Sequence, residues 1–125
     1  MSVRLLVVDD AMIIRELIKE AAAEAGFEVV GEATNGREAV ERFTELRPDV
    51  VTLDLVMPQY DGLHALEGIL AADPGARVVV VSALEQTTIL KEAFRKGASD
   101  FITKPFDKKL LVATIENVAG AAVGK

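Results

Sequence analysis

Five short apolar runs, four of them with a polar signal at the end, constrain this 125-residue chain more than anything else in it. They lie at about Arg4–Val8, Glu28–Ala33, Asp49–Asp54, Arg77–Ser82 and Asp100–Thr103, and longer segments of helical period separate them. Runs of this length and composition read as strands, so the chain is a βα repeat. Val78–Val81 is apolar at every position, which requires cover on both faces and makes it an interior strand of a parallel sheet. The expectation is an α/β fold of three layers, α/β/α, doubly wound; right-handed crossovers restrict its topology, and five strands of this length suit the order 2-1-3-4-5 of flavodoxin-like sheets.

The intervening segments carry their own stops. In Ala11–Ala25 the positions Ile14, Leu17, Ile18, Ala21 and Ala25 recur on one helix face, and Gly26 ends it. Asn35 serves as an N-cap for a helix bearing Ala39, Val40, Phe43 and Leu46, closed by Pro48. Gly62–Ala72 and Glu85–Lys96 supply the third and fourth helices, ended by Asp73-Pro74-Gly75 and by Gly97. Asp107 opens a last helix through about Ala119. Residues 1–120 are expected to form a single domain, and 121–125 a frayed tail.

Composition narrows the chemistry. There is no cysteine, so thiolate ligands, disulfides and thiol catalysis are excluded, leaving oxygen donors and the lone His64 for a metal. His64 itself, early in the third helix, reads as an ordinary surface residue. Net charge is −6, which disfavours nonspecific binding to nucleic acid or an anionic membrane. Residues 1–75 hold 6 basic and 15 acidic side chains (−9), and 76–125 hold 8 and 5 (+3). No apolar stretch approaches the roughly 20 residues of a membrane helix, and the first run is too short for a signal peptide. A cytoplasmic location is the expectation.

Parallel strands present their carboxyl ends along one edge. In this fold that edge would gather Asp9 and Asp10 from the first strand, Asp54 from the third, Ser82 from the fourth and Lys104 from the fifth. Three carboxylates together are costly unless a positive charge lies among them. Mg2+, which prefers one or two protein carboxylates with retained waters and a phosphate, suits Asp10 and Asp54, with Asp9 acting through a water. Asp54 is the candidate nucleophile, since a carboxylate can form an aspartyl phosphate. Lys104 and Ser82 would then neutralise and bind the phosphoryl oxygens. Taken singly, each residue could be a helix cap or a solvated side chain. Together, in order and at strand ends, they form a specific pattern.

That pattern resembles the receiver domains of two-component response regulators over essentially the whole chain. The likeness is carried by Val-Val-Asp9-Asp10, Leu-Asp54-Leu-Val-Met-Pro58-Gln-Tyr-Asp-Gly62, Val-Val-Ser82-Ala and Asp100-Phe101-Ile-Thr-Lys104-Pro105-Phe106. It implies that Asp54 accepts phosphate from the phosphohistidine of a sensor histidine kinase. It further implies Mg2+ held by Asp10, Asp54 and the backbone carbonyl of Val56, with Asp9 completing the acidic pocket. It implies a switch in which Ser82 moves toward the phosphoryl group and the ring of Phe101 turns into the vacated space, remodelling the face formed by the fourth helix, fifth strand and fifth helix. From periodicity alone Phe101 reads as core packing. The Lys104–Pro105 peptide is cis in this family, against about 5–6% of folded X-Pro bonds generally.

Within the family, Asp-Ala-Met-Ile-Ile-Arg, Gly-Glu-Ala-Thr-Asn-Gly-Arg-Glu-Ala-Val and Ser-Ala-Leu-Glu-Gln are most similar to the stand-alone chemotaxis receivers of the CheY type. The partners this implies are a CheA-like kinase, a FliM-like flagellar switch protein and, in some systems, a phosphatase, with the receiver acting as a monomer. Lys91, Arg95, Lys96, Lys108 and Lys109 would tilt the output face toward an acidic or amphipathic helix. Val56 and Leu84, both apolar beside the expected path of a hydrolytic water, predict slow autodephosphorylation. A phosphorelay intermediate and the excised receiver of a DNA-binding regulator share these features. A Mg2+-dependent aspartyl-phosphate phosphatase would need a second, proton-transferring aspartate near the nucleophile, and Asp54 is followed by Leu55-Val56 instead. A flavin-binding fold would need a phosphate-cradling loop where Asp9 and Asp10 stand.

Overall fold

The structure, a computed structural model, describes residues 2–57, 62–83 and 87–123, with side chains to residue 120. The strands are β1 (Arg4–Val8), β2 (Glu28–Ala33), β3 (Val50–Asp54), β4 (Val78–Ala83) and β5 (Asp100–Lys104). The helices are α1 (Met12–Glu24), α2 (Gly36–Leu46), α3 (Gly62–Ala72), α4 (Thr87–Lys96) and α5 (Lys108–Val123). All four pairings are parallel and the order is β2-β1-β3-β4-β5, the order expected from the sequence.

The sheet separates two cores, and consecutive strand residues alternate between them. Leu6, Val8, Val51, Leu53, Val78 and Val80 pack with Ala39, Phe43, Leu66 and Ile69 on the α2–α3–α4 side. Leu5, Val7, Val50, Val79 and Ile102 pack with Ile18, Ala21, Leu111 and Ile115 on the α1–α5 side. Val78–Val81 is buried throughout, so the continuous apolar run does mark an interior strand.

The helix ends follow the sequence signals. Asn35 accepts a hydrogen bond from Glu38 N–H at 2.9 Å, and the Glu38 carboxylate accepts from Thr34 N–H at 2.8 Å, a reciprocal cap. Asp107 caps α5 through Lys109 N–H at 2.7 Å. Gly26 (φ +80°) and Gly97 (φ +118°) leave α1 and α4 in the left-handed region, where glycine costs least.

Three expectations change. The buried face of α1 is Ile18, Ala21 and Ala22, while Leu17 is 37% exposed; the helix presents a narrower stripe to a sheet it shares with α5. α5 runs past Ala119 to Val123, because a helical glycine such as Gly120 costs only about 1 kcal/mol and Ala-Ala-Val follows without a breaker. Of the expected frayed tail, residues 121–123 therefore have helical backbone, and Gly124 and Lys125 lie outside the described residues. Phe101 is 40% exposed, not core: its ring meets Phe94 of α4 edge-on, centroids 5.7 Å apart. Glu85 and Gln86, expected to begin α4, also lie outside the described residues.

Candidate functional site

The carboxyl edge of the sheet brings the five predicted polar residues into one neighbourhood. β1 ends beside β3 with Val8 opposite Leu53, so Asp9 emerges next to Asp54. Asp54 lies opposite Val81, Ser82 opposite Thr103, and Ala83 opposite Lys104. One carboxylate oxygen from each of Asp9, Asp10 and Asp54 falls within 4.8 Å of the other two. Lys104 Nζ stands 2.9 Å from Asp9 Oδ2 and 3.5 Å from Asp54 Oδ1. Asp9, Asp54 and Ser82 are buried, at 1%, 4% and 1% exposure, whereas Asp10 is exposed.

The main chain supplies part of the geometry. Ala11 N–H donates to Asp9 Oδ1 at 2.9 Å, and Val56 N–H to Asp54 Oδ1 at 3.2 Å. Gly62, the first residue of α3, donates to the Leu55 carbonyl at 2.9 Å. A β-carbon there would stand 2.3 Å from Leu55 Cα and 2.4 Å from the Asp54 carbonyl oxygen, so only glycine lets α3 begin so close to the strand end.

Electrostatically the pocket is under-neutralised. Burial, then the Asp9 charge, push the Asp54 carboxyl from 3.8 up to about 6, with Asp10 adding to the rise and Lys104 and Val56 N–H opposing it. One ammonium does not offset three carboxylates. Lys104 Nζ approaches the buried Asp9 Oδ2 as an ion pair, and among the described residues that oxygen has no aligned hydrogen-bond donor. A buried carboxylate oxygen without an aligned donor, in a cluster of hard oxygen ligands, fits a divalent cation of the Mg2+ class.

Val56 is 46% exposed at the rim of the pocket, and its predicted partner in shielding, Leu84, lies outside the described residues, as do Pro58, Gln59, Tyr60 and Asp61. Phe101 pairs with Val80 in the ladder while Ser82 pairs with Thr103, so Phe101 and Ser82 belong to the same face of the sheet. The Lys104–Pro105 peptide is cis. His64 is an exposed residue of α3. On the expected output surface Lys96 pairs with Glu67, Arg95 with Glu92 and Lys108 with Glu20, leaving Lys91 and Lys109, which have no ion-pair partner among the described residues, to carry the positive tilt. A cleft of about 880 Å³ at Arg4, Gly26, Phe27 and Glu28 opens at the opposite end of the strands, and the chemistry is not there.

Sequence reasoning passed over Arg15. It lies on α1 and donates to the main-chain carbonyl of Asp9 at 2.9 Å. In the sequence it appears as the last residue of Asp-Ala-Met-Ile-Ile-Arg, six residues after Asp9, with nothing to give it a role. Thr52, hidden in an apolar run of β3, is fully buried, and its hydroxyl has no hydrogen-bond partner among the described residues.

Comparison with known proteins agrees with this geometry. Residues 5–116 match the family model of the response regulator receiver domain. The chemotaxis protein CheY of Thermotoga maritima is 46% identical over 119 residues, covering 95% of this chain and 99% of that protein. Among solved structures, CheY in a CheX–CheY–BeF3–Mg2+ complex from Borrelia burgdorferi superposes with a TM-score of 0.88 at 33% identity, over 93% of this chain and 88% of that one. The response regulator domain of T. maritima CheB gives a TM-score of 0.84 at 37% identity, over 100% and 98%. With its sheet order, its acidic edge and this match, the chain belongs to the response regulator receiver domain family.

Proposed function

We propose that the chain is a chemotaxis response regulator that takes a phosphoryl group onto Asp54 from a CheA-like histidine kinase. The observation that carries this is the buried Asp54 carboxylate, raised to about 6 by burial and by Asp9, with Lys104 beside it. At neutral pH it is ionised and can attack: an Asp54 oxygen bonds to phosphorus as the donor's N–P bond breaks, and the histidine leaves with the electron pair. Lys104 and the Ser82 hydroxyl stand at the ends of the two next strands to receive the phosphoryl oxygens. Mg2+ would be held by Asp9, Asp10, Asp54 and the Val56 carbonyl, and when bound it neutralises the carboxylates and the incoming oxygens.

Residues 1–120 act in this reading as one receiver domain, without turnover of an external substrate. Phosphorylation moves Ser82, and Phe101, on the same face and in edge contact with Phe94, turns inward. The α4–β5–α5 surface so altered binds a FliM-like switch protein, with Lys91 and Lys109 favouring acidic residues on the partner. No helix among the described residues is long and apolar enough to cross a membrane.

Incubation with acetyl phosphate, with and without Mg2+, followed by intact mass, tests the reading. A Mg2+-dependent gain of one phosphoryl group, absent in Asp54→Asn, is expected. No gain under conditions that label another receiver would overturn it.

A further inference from the structure

We propose that Arg15 is a positioning residue of the metal pocket, holding the Asp9–Asp10 peptide in the orientation that aims Asp10 at a cation. The inference rests on the reading of Asp9, Asp10 and Asp54 as a Mg2+ site. Asp10 is exposed, and its carboxylate has no hydrogen bond or ion pair with any described residue, so what fixes its approach to the pocket is the main chain that sets its Cα–Cβ bond. That main chain is gripped on both sides of Asp9. Asp9 N–H donates to the Ala33 carbonyl at 3.1 Å, and the Asp9 carbonyl accepts from Arg15 at 2.9 Å. Because the peptide unit is planar, fixing the Asp9 carbonyl also fixes the amide of Asp10, leaving φ of Asp10 as the one backbone torsion before its β-carbon.

Arg15 can hold that carbonyl because it is itself anchored. Its Nε lies 2.9 Å from Glu32 Oε1, and Lys19 Nζ holds the other Glu32 oxygen at 2.8 Å. The Arg15 side chain is 14% exposed, whereas those of Glu32 and Lys19 are 35% and 30% exposed, so the guanidinium is better shielded from water and salt than the groups that anchor it. Glu32 and Ala33 both belong to β2, so the acidic loop is tied to the edge strand twice: directly through Asp9 N–H and indirectly through Arg15. The guanidinium serves two acceptors in different directions from separate nitrogens. A lysine, with all its donors on one atom, can reach one acceptor well but not both.

Loss of a group that orients a metal ligand commonly costs about 10–100-fold in metal affinity, and the lower end applies where the ligand is one of several. Mg2+ affinity, measured by isothermal titration well below the unfolding temperature, should therefore fall roughly tenfold in Arg15→Ala and less in Arg15→Lys. Labelling of Arg15→Ala by acetyl phosphate at saturating Mg2+ should return to within about twofold of the parent chain, since Asp54 and Lys104 are untouched; this split separates positioning from general damage. Glu32→Ala, at a partly exposed side chain, removes the anchor while keeping Arg15, and a loss of several-fold is expected even if Arg15→Ala does not fold. Parental Mg2+ affinity in whichever of these alanine variants fold would overturn the proposal. A loss of labelling in Arg15→Ala that saturating Mg2+ fails to restore would overturn it as well. A parent chain that binds no Mg2+ would instead overturn the reading of the pocket on which the proposal stands.

Discussion

Asp54→Asn should make the metal-free protein more stable, although it removes the proposed acceptor. The parent carboxyl titrates at about 6 when folded against 3.8 ordinarily, so folding must supply the difference wherever the group is ionised in both states. At about 1.4 kcal/mol per unit this is roughly 3 kcal/mol as an upper bound, and screening by counter-ions and local relaxation reduce it to about 1–2 kcal/mol. The sign follows from the direction of the shift. A carboxyl whose folded pKa is raised carries no penalty below about 3.8, where both states are protonated. The penalty grows through the interval and is complete above about 6. Asparagine keeps the acceptor for Val56 N–H and removes the charge that Asp9 and Asp10 repel. Thermal unfolding by circular dichroism in EDTA should show the variant higher by roughly 4–8 °C at pH 7.5, at about 4 °C per kcal/mol for a domain of this size. The gap should shrink to a third or less near pH 4 and narrow when Mg2+ is added at pH 7.5, because the cation relieves the same repulsion in the parent. A variant no more stable than the parent in EDTA at pH 7.5, or a gap independent of pH, would refute the electrostatic account of the pocket.

Other substitutions probe the rest of the structure. Thr52→Val replaces a fully buried hydroxyl, without a hydrogen-bond partner among the described residues, by a methyl of similar shape, and a gain of about 1 kcal/mol in urea denaturation is expected; a loss would mean the hydroxyl has a partner. The chain has no tryptophan, so Phe101→Trp places a unique fluorophore on the half-exposed ring position, and its emission should shift to the blue on Mg2+ and acetyl phosphate but not in the Asp54→Asn background. An unchanged spectrum in a phosphorylated sample would remove Phe101 from the switch. Val56→Asn with Leu84→Glu should shorten the phosphoryl lifetime several-fold as followed by decay of the phosphorylated mass, and equal lifetimes would show that apolar shielding does not set the rate.

Much of this fold is legible in the residues because burial on both faces leaves little choice. A run such as Val78–Val81 can only be an interior strand, and Gly26, Asn35, Gly97 and Asp107 mark helix ends by conformational or capping chemistry confined to a few neighbours. The acidic edge is legible for the same reason, since parallel strands deliver their final residues to one side. What escaped depends on partners distant in sequence. Phe101 looks like core until α4 proves to lie beside it with Phe94. Leu17 has the right period but falls off the stripe that α5 leaves open. Arg15 contacts a carbonyl and a β2 carboxylate, and a main-chain acceptor leaves no mark in a side-chain pattern.

The alternation of β4 between two cores bears on how a signal can leave the pocket. Sliding β4 by one residue would exchange Val78 and Val80 with Val79 across the sheet and carry Ser82 out of step with Thr103, so both cores would have to repack at once. The strand behaves as a ratchet with no intermediate tooth. Motion that begins at Asp54 must then travel by rotation of individual side chains and by loops, while the sheet keeps time as a fixed frame.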